Sequence, residues 1–207
     1  MARKPYSQEK FEQIRTEIVS AALEIFTREG DDGLSLRKIA EETGVSHTKM
    51  YSYFNNKNEL LEALTIEMLN VLEKILKQAD DQSKSPIQRL RLAGRALIDF
   101  AVAHPSYYVF LFSRPIDLNT VSERGLEMRH AVFNFVVDIA NDAYEKKLTS
   151  IEPLTLANLS WAALHGLITL EFNGQLNEGR SLDELATSAL ELLFAEHLSK
   201  PRQRRAS

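Results

Sequence analysis

The stretch from Ser46 to Lys57 contains the side chains with the clearest capacity for recognition chemistry. Apart from the two apolar positions Met50 and Phe54, every residue there carries a hydrogen-bonding group or a cation, and none carries an acid. These polar positions are Ser46, His47, Thr48, Lys49, Tyr51, Ser52, Tyr53, Asn55, Asn56 and Lys57. Such a face favours a polyanion, because it offers donors and positive charge without a competing carboxylate.

Two cations upstream point to the same chemistry. Arg37 and Lys38 stand in the first turn of a predicted helix, where positive charge opposes the helix dipole. Helix stability alone would disfavour them, whereas a nearby phosphate or guanine edge would account for them. We therefore hypothesise that this region contacts nucleic acid.

Two short predicted helices position these side chains. Ser35 can cap the segment LRKIAEET, and Gly44 can end it in the left-handed conformation of a sharp turn. Ser46 can cap the second segment, HTKMYSYF. Because helices of about eight residues are unstable alone, we expect this pair to exist only by packing on neighbours.

The two helices contain an extended motif. It reads Ser35-Leu-Arg-Lys-Ile-Ala-x-x-x-Gly44-Val-Ser, followed by Met50-Tyr-x-Tyr-Phe-x-x-Lys57-x-x-Leu60-Leu61. The motif resembles the helix-turn-helix of TetR-type transcriptional regulators over residues 11–64. Thr48 and Ser52 depart from the residues frequent in the family, which affects the choice of operator rather than the fold. A helix-turn-helix used only for packing is the alternative interpretation.

The resemblance implies that the chain binds double-stranded operator DNA, and position divides the polar residues into two groups. The candidates for base-edge contacts are Arg37, His47, Thr48 and Tyr51. The candidates for phosphate contacts are Ser46, Lys49, Tyr53 and Lys57.

Length and composition indicate an all-α protein. The chain has 207 residues, of which 44% are hydrophobic and 26% charged, with only 8 Gly and 6 Pro, and the prolines stand at predicted helix edges. We expect about nine helices, arranged as an N-terminal three-helix helix-turn-helix domain and a C-terminal helical effector and dimerisation domain. The predicted boundaries are 1–58, 59–199 and a basic, disordered tail over 200–207.

The net charge of −4 is unusual for a protein that binds DNA, but it is unevenly distributed. Residues 1–58 hold nine cations and nine acids, whereas residues 59–199 hold twelve cations and twenty acids. The acidic balance therefore belongs to the second domain. We place the acids of the first domain, including Glu41 and Glu42, away from the groove-facing side.

The predicted location is the cytoplasm. The chain has no cysteine, which excludes disulfides and cysteine-based metal sites, and we expect no cofactor. The N-terminal residues lack the apolar segment of a signal peptide. Residues 153–170 contain no charged side chain, but their polar residues favour a helix buried at an interface over one that spans a membrane.

A long helix is predicted from Glu59 to Ala79, with Asn58 as its cap. Its twenty-one residues would extend roughly 32 Å, enough to join a DNA-binding head to a distal body. We expect a ligand in the body to shift this helix and so change the spacing of two heads.

The last two helices predict a homodimer. Residues 154–172 and 182–194 are apolar around most of the helix circumference, so they must be buried on more than one side. A two-fold dimer also presents two recognition helices to successive major grooves. The family resemblance adds that TetR-type proteins dimerise through their last two long helices.

The segment Trp161-Ala-Ala-Leu-His165-Gly166 is similar to the signature of the WHG-type effector domain of some TetR-type regulators. Trp161 and His165 share a helix face, and Gly166 is expected to permit close helix approach. The candidate effector residues are His104, Tyr107, Tyr108, Phe112, Met128, Phe133, Trp161 and His165. The alternative is that these aromatic residues only form core. Arg129 is a further candidate for burial, but without an evident buried cation we expect an apolar or weakly polar effector.

These patterns predict a ligand-responsive transcriptional regulator, a repressor that binds a palindromic operator as a dimer and is released by its effector. The alternatives are an activator of the same fold and a helical interaction module without DNA binding. An enzyme is not expected, because the sequence has no nucleophile in a strained turn, no Gly-rich phosphate loop and no HExxH motif.

Overall fold

The computed structural model describes residues 7–113, 121–176 and 179–194. Over these ranges the chain is all-α, as the sequence predicted, with nine α-helices and one short 3-10 helix. The helices are α1 (Gln8–Glu29), α2 (Leu36–Thr43), α3 (His47–Met50), α4 (Lys57–Ala79), α5 (Pro86–Ala103), α6 (Pro105–Phe112), α7 (Glu123–Glu145), α8 (Pro153–Phe172) and α9 (Leu182–Leu193). The 3-10 helix, Asp31–Gly33, connects α1 to α2.

The chain divides into two compact units. One consists of the described residues of Met1–Leu69 and Ser106–Leu126, and the other of those of Asn70–Pro105 and Glu127–Ser207. The first unit therefore extends eleven residues past the boundary predicted at residue 58 and includes a later segment of the chain. Helices α4 and α7 each contribute residues to both units. The predicted basic tail, residues 200–207, lies outside the described residues.

The first unit is held together by the packing of α1 against α2 and of α2 against α3. Ile18 and Ile25 on α1, Ile39 on α2 and Met50 on α3 are fully buried. Each short helix therefore buries one apolar face, α2 against α1 and α3 against α2. Burial of this shared core stabilises helices that are too short to be stable alone.

The second unit is built around α8, which packs against α5 and α9. Gly94 of α5 marks the closest approach, because an added Cβ would collide with the side chain of Leu190 on α9. The starts of α5 and α9 are fixed by capping boxes, Ser85 with Gln88 and Ser181 with Glu184. Both capping boxes follow from a serine with a glutamine or glutamate three residues later in the sequence.

The start of α4 differs from the prediction. The helix begins at Lys57, and the Asn56 side chain, not Asn58, accepts a hydrogen bond from the Glu59 N–H at 3.0 Å. Asn55 donates from its backbone N–H to the Glu59 carboxylate at 2.9 Å, so Glu59 bonds both asparagines that precede α4.

Within the described ranges, no helix combines the length and the apolar character needed to cross a membrane.

Candidate functional site

Helix α2 exposes Arg37 beside the turn that leads into α3. The Ser35 hydroxyl accepts a hydrogen bond from the Lys38 N–H at 3.2 Å, which fixes the start of α2. Gly44 ends it in the left-handed conformation, with φ 67° and ψ 9°, as the sequence predicted. Ile39 and Ala40 are buried, so Arg37 is turned to solvent and its side chain is 82% exposed.

The two cations in the first turn of α2 have different partners. Lys38 pairs with Glu29, and hydrogen bonds from Lys38 and then Arg28 lower the pKa of that carboxyl group. The position of Lys38 therefore has an explanation within the protomer. Arg37 pairs with Glu41 one turn away, with Nε and Oε1 3.1 Å apart. An exposed pair of this kind contributes only about 0.3–0.5 kcal/mol, so a phosphate or a base can replace the carboxylate.

Helix α3 presents a short row of exposed polar side chains. Ser46 stands at its cap, but the Ser46 carbonyl alone bonds the helix, accepting from the Lys49 and Met50 N–H groups at 2.9 and 3.0 Å. The Ser46 hydroxyl makes no capping bond and stays available for another acceptor or donor. His47 and Tyr51 lie edge to face with ring centroids 5.4 Å apart, which orients both rings on one side of α3.

An open cleft of about 610 Å³ brings the two helices together. It is lined by Arg37, Ala40 and Glu41 from α2 and by Gly44, Val45, Ser46 and His47 from the turn and α3. Glu41 differs from the expectation that acids lie away from this face, since it shares the cleft with Arg37. The i, i+4 spacing of Arg37 and Glu41 was the sequence signal that could have revealed it.

Tyr53 is placed differently from the other candidate contact residues. It is 3% exposed, and its ring packs on Phe11 with centroids 4.7 Å apart. Its hydroxyl is buried and has no hydrogen-bond partner among the described residues. The phosphate contact expected of Tyr53 stays a prediction, but in this structure its side chain is buried, because the chain turns back into the core three residues past the end of α3.

The remaining candidates stay at the surface or near it. Thr48 and Ser52 are exposed, and Lys49 is half-buried. Lys57 is exposed and is the first residue of α4, where its charge again opposes the helix dipole. The DNA-contact candidates thus occupy α2, α3 and the start of α4, with Tyr53 as the exception.

The predicted effector residues divide between the two units. Tyr107, Tyr108 and Phe112 belong to the first unit, where Tyr108 is 1% exposed and packs on Phe112 with ring centroids 4.9 Å apart. Burial raises the pKa of the Tyr108 hydroxyl, so that group is a neutral hydrogen-bonding group. The second unit holds His104, Met128, Phe133, Trp161 and His165.

Trp161 and His165 stack on α8, with ring centroids 5.6 Å apart and planes within 8° of parallel. Both side chains are half-buried, and burial lowers the pKa of the His165 imidazole. The shared face predicted from the i, i+4 spacing is therefore present. Gly166 differs from expectation, because a Cβ built there meets no described atom within 4 Å. No close helix approach within the described protomer explains this glycine.

A half-buried cation lies on α7. Arg129, on α7 between Met128 and Phe133, has a buried Nε without a hydrogen-bond partner among the described residues. An unpartnered donor costs about 1–3 kcal/mol, and more when the group is charged. The sequence alone indicated Arg129 only as a candidate for burial.

No group of three or more His, Cys, Asp or Glu able to hold a metal ion occurs in the part of the chain that the structure describes.

Comparison with known proteins identifies both parts of the chain. Residues 18–64 match the family described as bacterial regulatory proteins, tetR family, and residues 90–193 match the tetracyclin repressor-like C-terminal domain. The tetracycline repressor protein class D of Escherichia coli is 40% identical over 55 residues, which are 27% of this chain and 25% of that protein. The chain thus spans about a quarter of the length of that repressor and 39% of the class A repressor.

Solved structures match over a larger share of the chain. A protein of unknown function from Rhodococcus sp. RHA1 has a TM-score of 0.76 and 26% identity, covering 87% of this chain and 93% of that one. AibR, solved in complex with isovaleryl coenzyme A and operator DNA, has a TM-score of 0.62 and 19% identity, with coverage of 87% and 98%. At that identity the likeness to AibR shows the fold alone.

Proposed function

Because the chain belongs to the TetR family of bacterial regulatory proteins, we propose that it is a DNA-binding transcriptional regulator that represses from a palindromic operator and is released by a small effector. The observation that carries this proposal is the cleft that joins Arg37 of α2 to Ser46 and His47 of α3. Its exposed side chains supply donors for bases and phosphates beside a convex recognition helix. The complex of AibR with operator DNA supports the view that this fold can bind DNA.

The proposed contacts follow from exposure. Arg37, His47, Thr48 and Tyr51 read base edges in the major groove, and the exposed Tyr51 ring also suits contact with a thymine methyl group. Ser46, Lys49 and Lys57 hold phosphates, which fixes the register of α3 on the duplex. Tyr53 supports these contacts through its packing on Phe11 rather than by touching DNA.

A homodimer is proposed from the unburied apolar surface of α8 and α9. Leu154, Leu159 and Leu170 on α8 and Leu192 on α9 are 40–72% exposed. The opposite side of α8 is already packed on α5 and α9, so a second copy of the chain is the natural cover for these leucines. The dimer would present two copies of α3 to the DNA.

The effector is proposed to lie near the aromatic residues of the C-terminal part, with the WHG-type stack of Trp161 and His165 as one contact. Arg129 changes the expected chemistry, because its buried Nε needs an acceptor that the described residues do not supply. We therefore favour an apolar effector that carries a carbonyl or an acid group. Helix α4 contributes to both units, so a shift of α4 is the proposed route from effector to DNA-binding head.

The first test concerns a base contact. Arg37→Ala should relax specificity at one base pair of each half-site, with a loss of about 1–3 kcal/mol of discrimination at that position. The matched control is Arg180→Ala, which removes another exposed arginine that is paired to a glutamate one turn away. Arg180 belongs to the second unit and stands just before α9. Binding is measured by fluorescence anisotropy on a set of single-base operator variants. Equal discrimination by Arg37→Ala and Arg180→Ala would contradict the assignment.

The second test concerns a phosphate contact. Lys57→Ala should weaken binding to all operator variants alike and reduce the slope of log affinity against log salt by about 1. The control is Lys74→Ala, another exposed lysine of α4 that belongs to the second unit. An unchanged salt slope for Lys57→Ala would remove Lys57 from the interface.

A further inference from the structure

A second concave site lies between α5 and α9 of the second unit, and its lining includes none of the DNA-contact candidates and none of the predicted effector residues. This α5–α9 cleft has a volume of about 420 Å³, which falls within the range of small-molecule sites. Leu92 and Leu190 give it an apolar floor. Three cations, Lys84, Arg91 and Arg95, line it, against a single carboxylate from Glu191.

Arg91 and Arg95 lie one turn apart on one side of α5, and Lys84 stands in the turn just before the helix. They differ in how far their charge is already neutralised. Arg95 is paired with Asp99, at 2.9 Å, and with Asp183. Lys84 has only Asp81, at 3.8 Å and on an exposed loop, so its charge is nearly uncompensated.

The hydrogen bonding of Arg91 is a second indication, independent of the charge of the cleft, that this cleft is a binding site. Its Nη2 donates to the Phe194 carbonyl at the end of α9, at 2.9 Å, which holds the guanidinium in place. Its Nε is buried and has no partner among the described residues. The side chain as a whole is half-buried, so only this Nε lacks a bond, and an acceptor from outside the described chain would offset the cost of leaving it unpaired.

We propose that the α5–α9 cleft binds a small organic anion with an apolar body. Its acid group is held by Arg91 and Lys84, and its apolar part covers Leu92 and Leu190. The cleft shares no residue with the DNA-binding face, so the proposal does not depend on the function proposed above.

Gln88 offers a variant that changes the charge of the cleft and leaves the fold intact. Its side chain accepts from the Ser85 N–H at 3.1 Å and closes the capping box of α5. Glutamate performs the same capping role, so Gln88→Glu keeps the helix start while adding a negative charge to the cleft. The matched control is Gln78→Glu, which makes the same change at an exposed position of α4 outside the cleft.

The experiment is calorimetric titration of the full chain with decanoate, and with decanamide as the uncharged counterpart. Decanoate should bind more tightly than decanamide, since only the acid meets the cations. Gln88→Glu should weaken decanoate binding about five-fold or more, and Glu191→Gln should strengthen it about three-fold, because like charges within a few ångströms of the acid repel it. Gln78→Glu should bind as the parent does.

Two results would overturn the proposal. One is equal affinity for decanoate and decanamide, which would leave the cations without a role. The other is equal decanoate affinity of Gln88→Glu and Gln78→Glu, which would place any bound anion elsewhere on the protein. Thermal unfolding of each variant without ligand separates these results from a loss of fold.

Discussion

The hydroxyl of Tyr53 is buried without a partner among the described residues, so it loses hydration and gains no bond in return. Tyr53→Phe should therefore leave the free energy of unfolding unchanged or raise it by up to about 1 kcal/mol, while the packing on Phe11 is kept. Operator affinity should not change. Chemical denaturation and anisotropy titration measure the two quantities. A loss of affinity for all sequences would restore a phosphate contact to this tyrosine.

His165 gives a prediction about pH. Burial lowers the pKa of its imidazole in the folded chain below the ordinary 6.5. At a pH between this lowered pKa and 6.5, the unfolded chain therefore binds a proton that the folded chain does not. The contribution of His165 to stability is thus unfavourable below about pH 6.5 and disappears above it. Trp161 is the only tryptophan and stacks on this ring, so its emission reports the charge on the imidazole.

The fluorescence of Trp161 should therefore titrate with a midpoint below 6.5. His165→Asn should abolish that transition and reduce the loss of stability on acidification. A midpoint at or above 6.5 would mean that the imidazole is not desolvated as the structure indicates.

At the scale of helices, α8 carries the prediction about assembly. Leu159 is 49% exposed and belongs to the proposed dimer face, and Val102 on α5 is 62% exposed and does not. Leu159→Glu should weaken the dimer more than ten-fold, because a leucine that loses burial costs about 1.5–3 kcal/mol before the added charge is counted. Val102→Glu should leave the dimer intact. Light scattering after size-exclusion chromatography distinguishes the two, and a dimer unaffected by Leu159→Glu would contradict the proposed face.

The helix ends show what could be predicted from the sequence and why. Ser35, Gly44 and Ser181 act through bonds and backbone conformations within a few residues, so their roles follow from local chemistry. Tyr53 could not be placed in this way. It follows the last residue of α3 by three positions, in a turn where helical periodicity no longer decides which side chains face inward.

The candidate site shows the same division. The exposed positions of α2 and α3 follow from periodicity, because Ile39, Ala40 and Met50 must face the core. The burial of the Nε atoms of Arg129 and Arg91 depends on which helices pack over them, and the spacing of residues along the sequence does not determine that packing. The missing hydrogen-bond partners of the two Nε atoms became visible only from tertiary structure.

For the whole molecule, the distribution of charge along the chain and the proposed two-fold symmetry determine how it would bind DNA. Residues 59–199 carry a formal charge of −8, whereas residues 1–58 are neutral, so the proposed DNA binding would depend on the local face formed by α2, α3 and the start of α4. At about 0.1 M salt, charges beyond roughly 10 Å are screened, which limits repulsion between the acidic part and the phosphates. The salt dependence of binding should accordingly reflect the few phosphate contacts of each protomer.

The most direct test of the account is selection of bound duplexes from a random pool by the full chain, followed by sequencing. We expect an enriched two-fold symmetric sequence whose half-sites lie about 34–36 Å apart, or a multiple of that distance, because two copies of α3 must enter grooves on one side of the duplex. Enrichment should be lost with Leu159→Glu, since a monomer reads one half-site. No enriched sequence, or a single half-site without symmetry, would contradict the claim that this chain recognises an operator as a dimer.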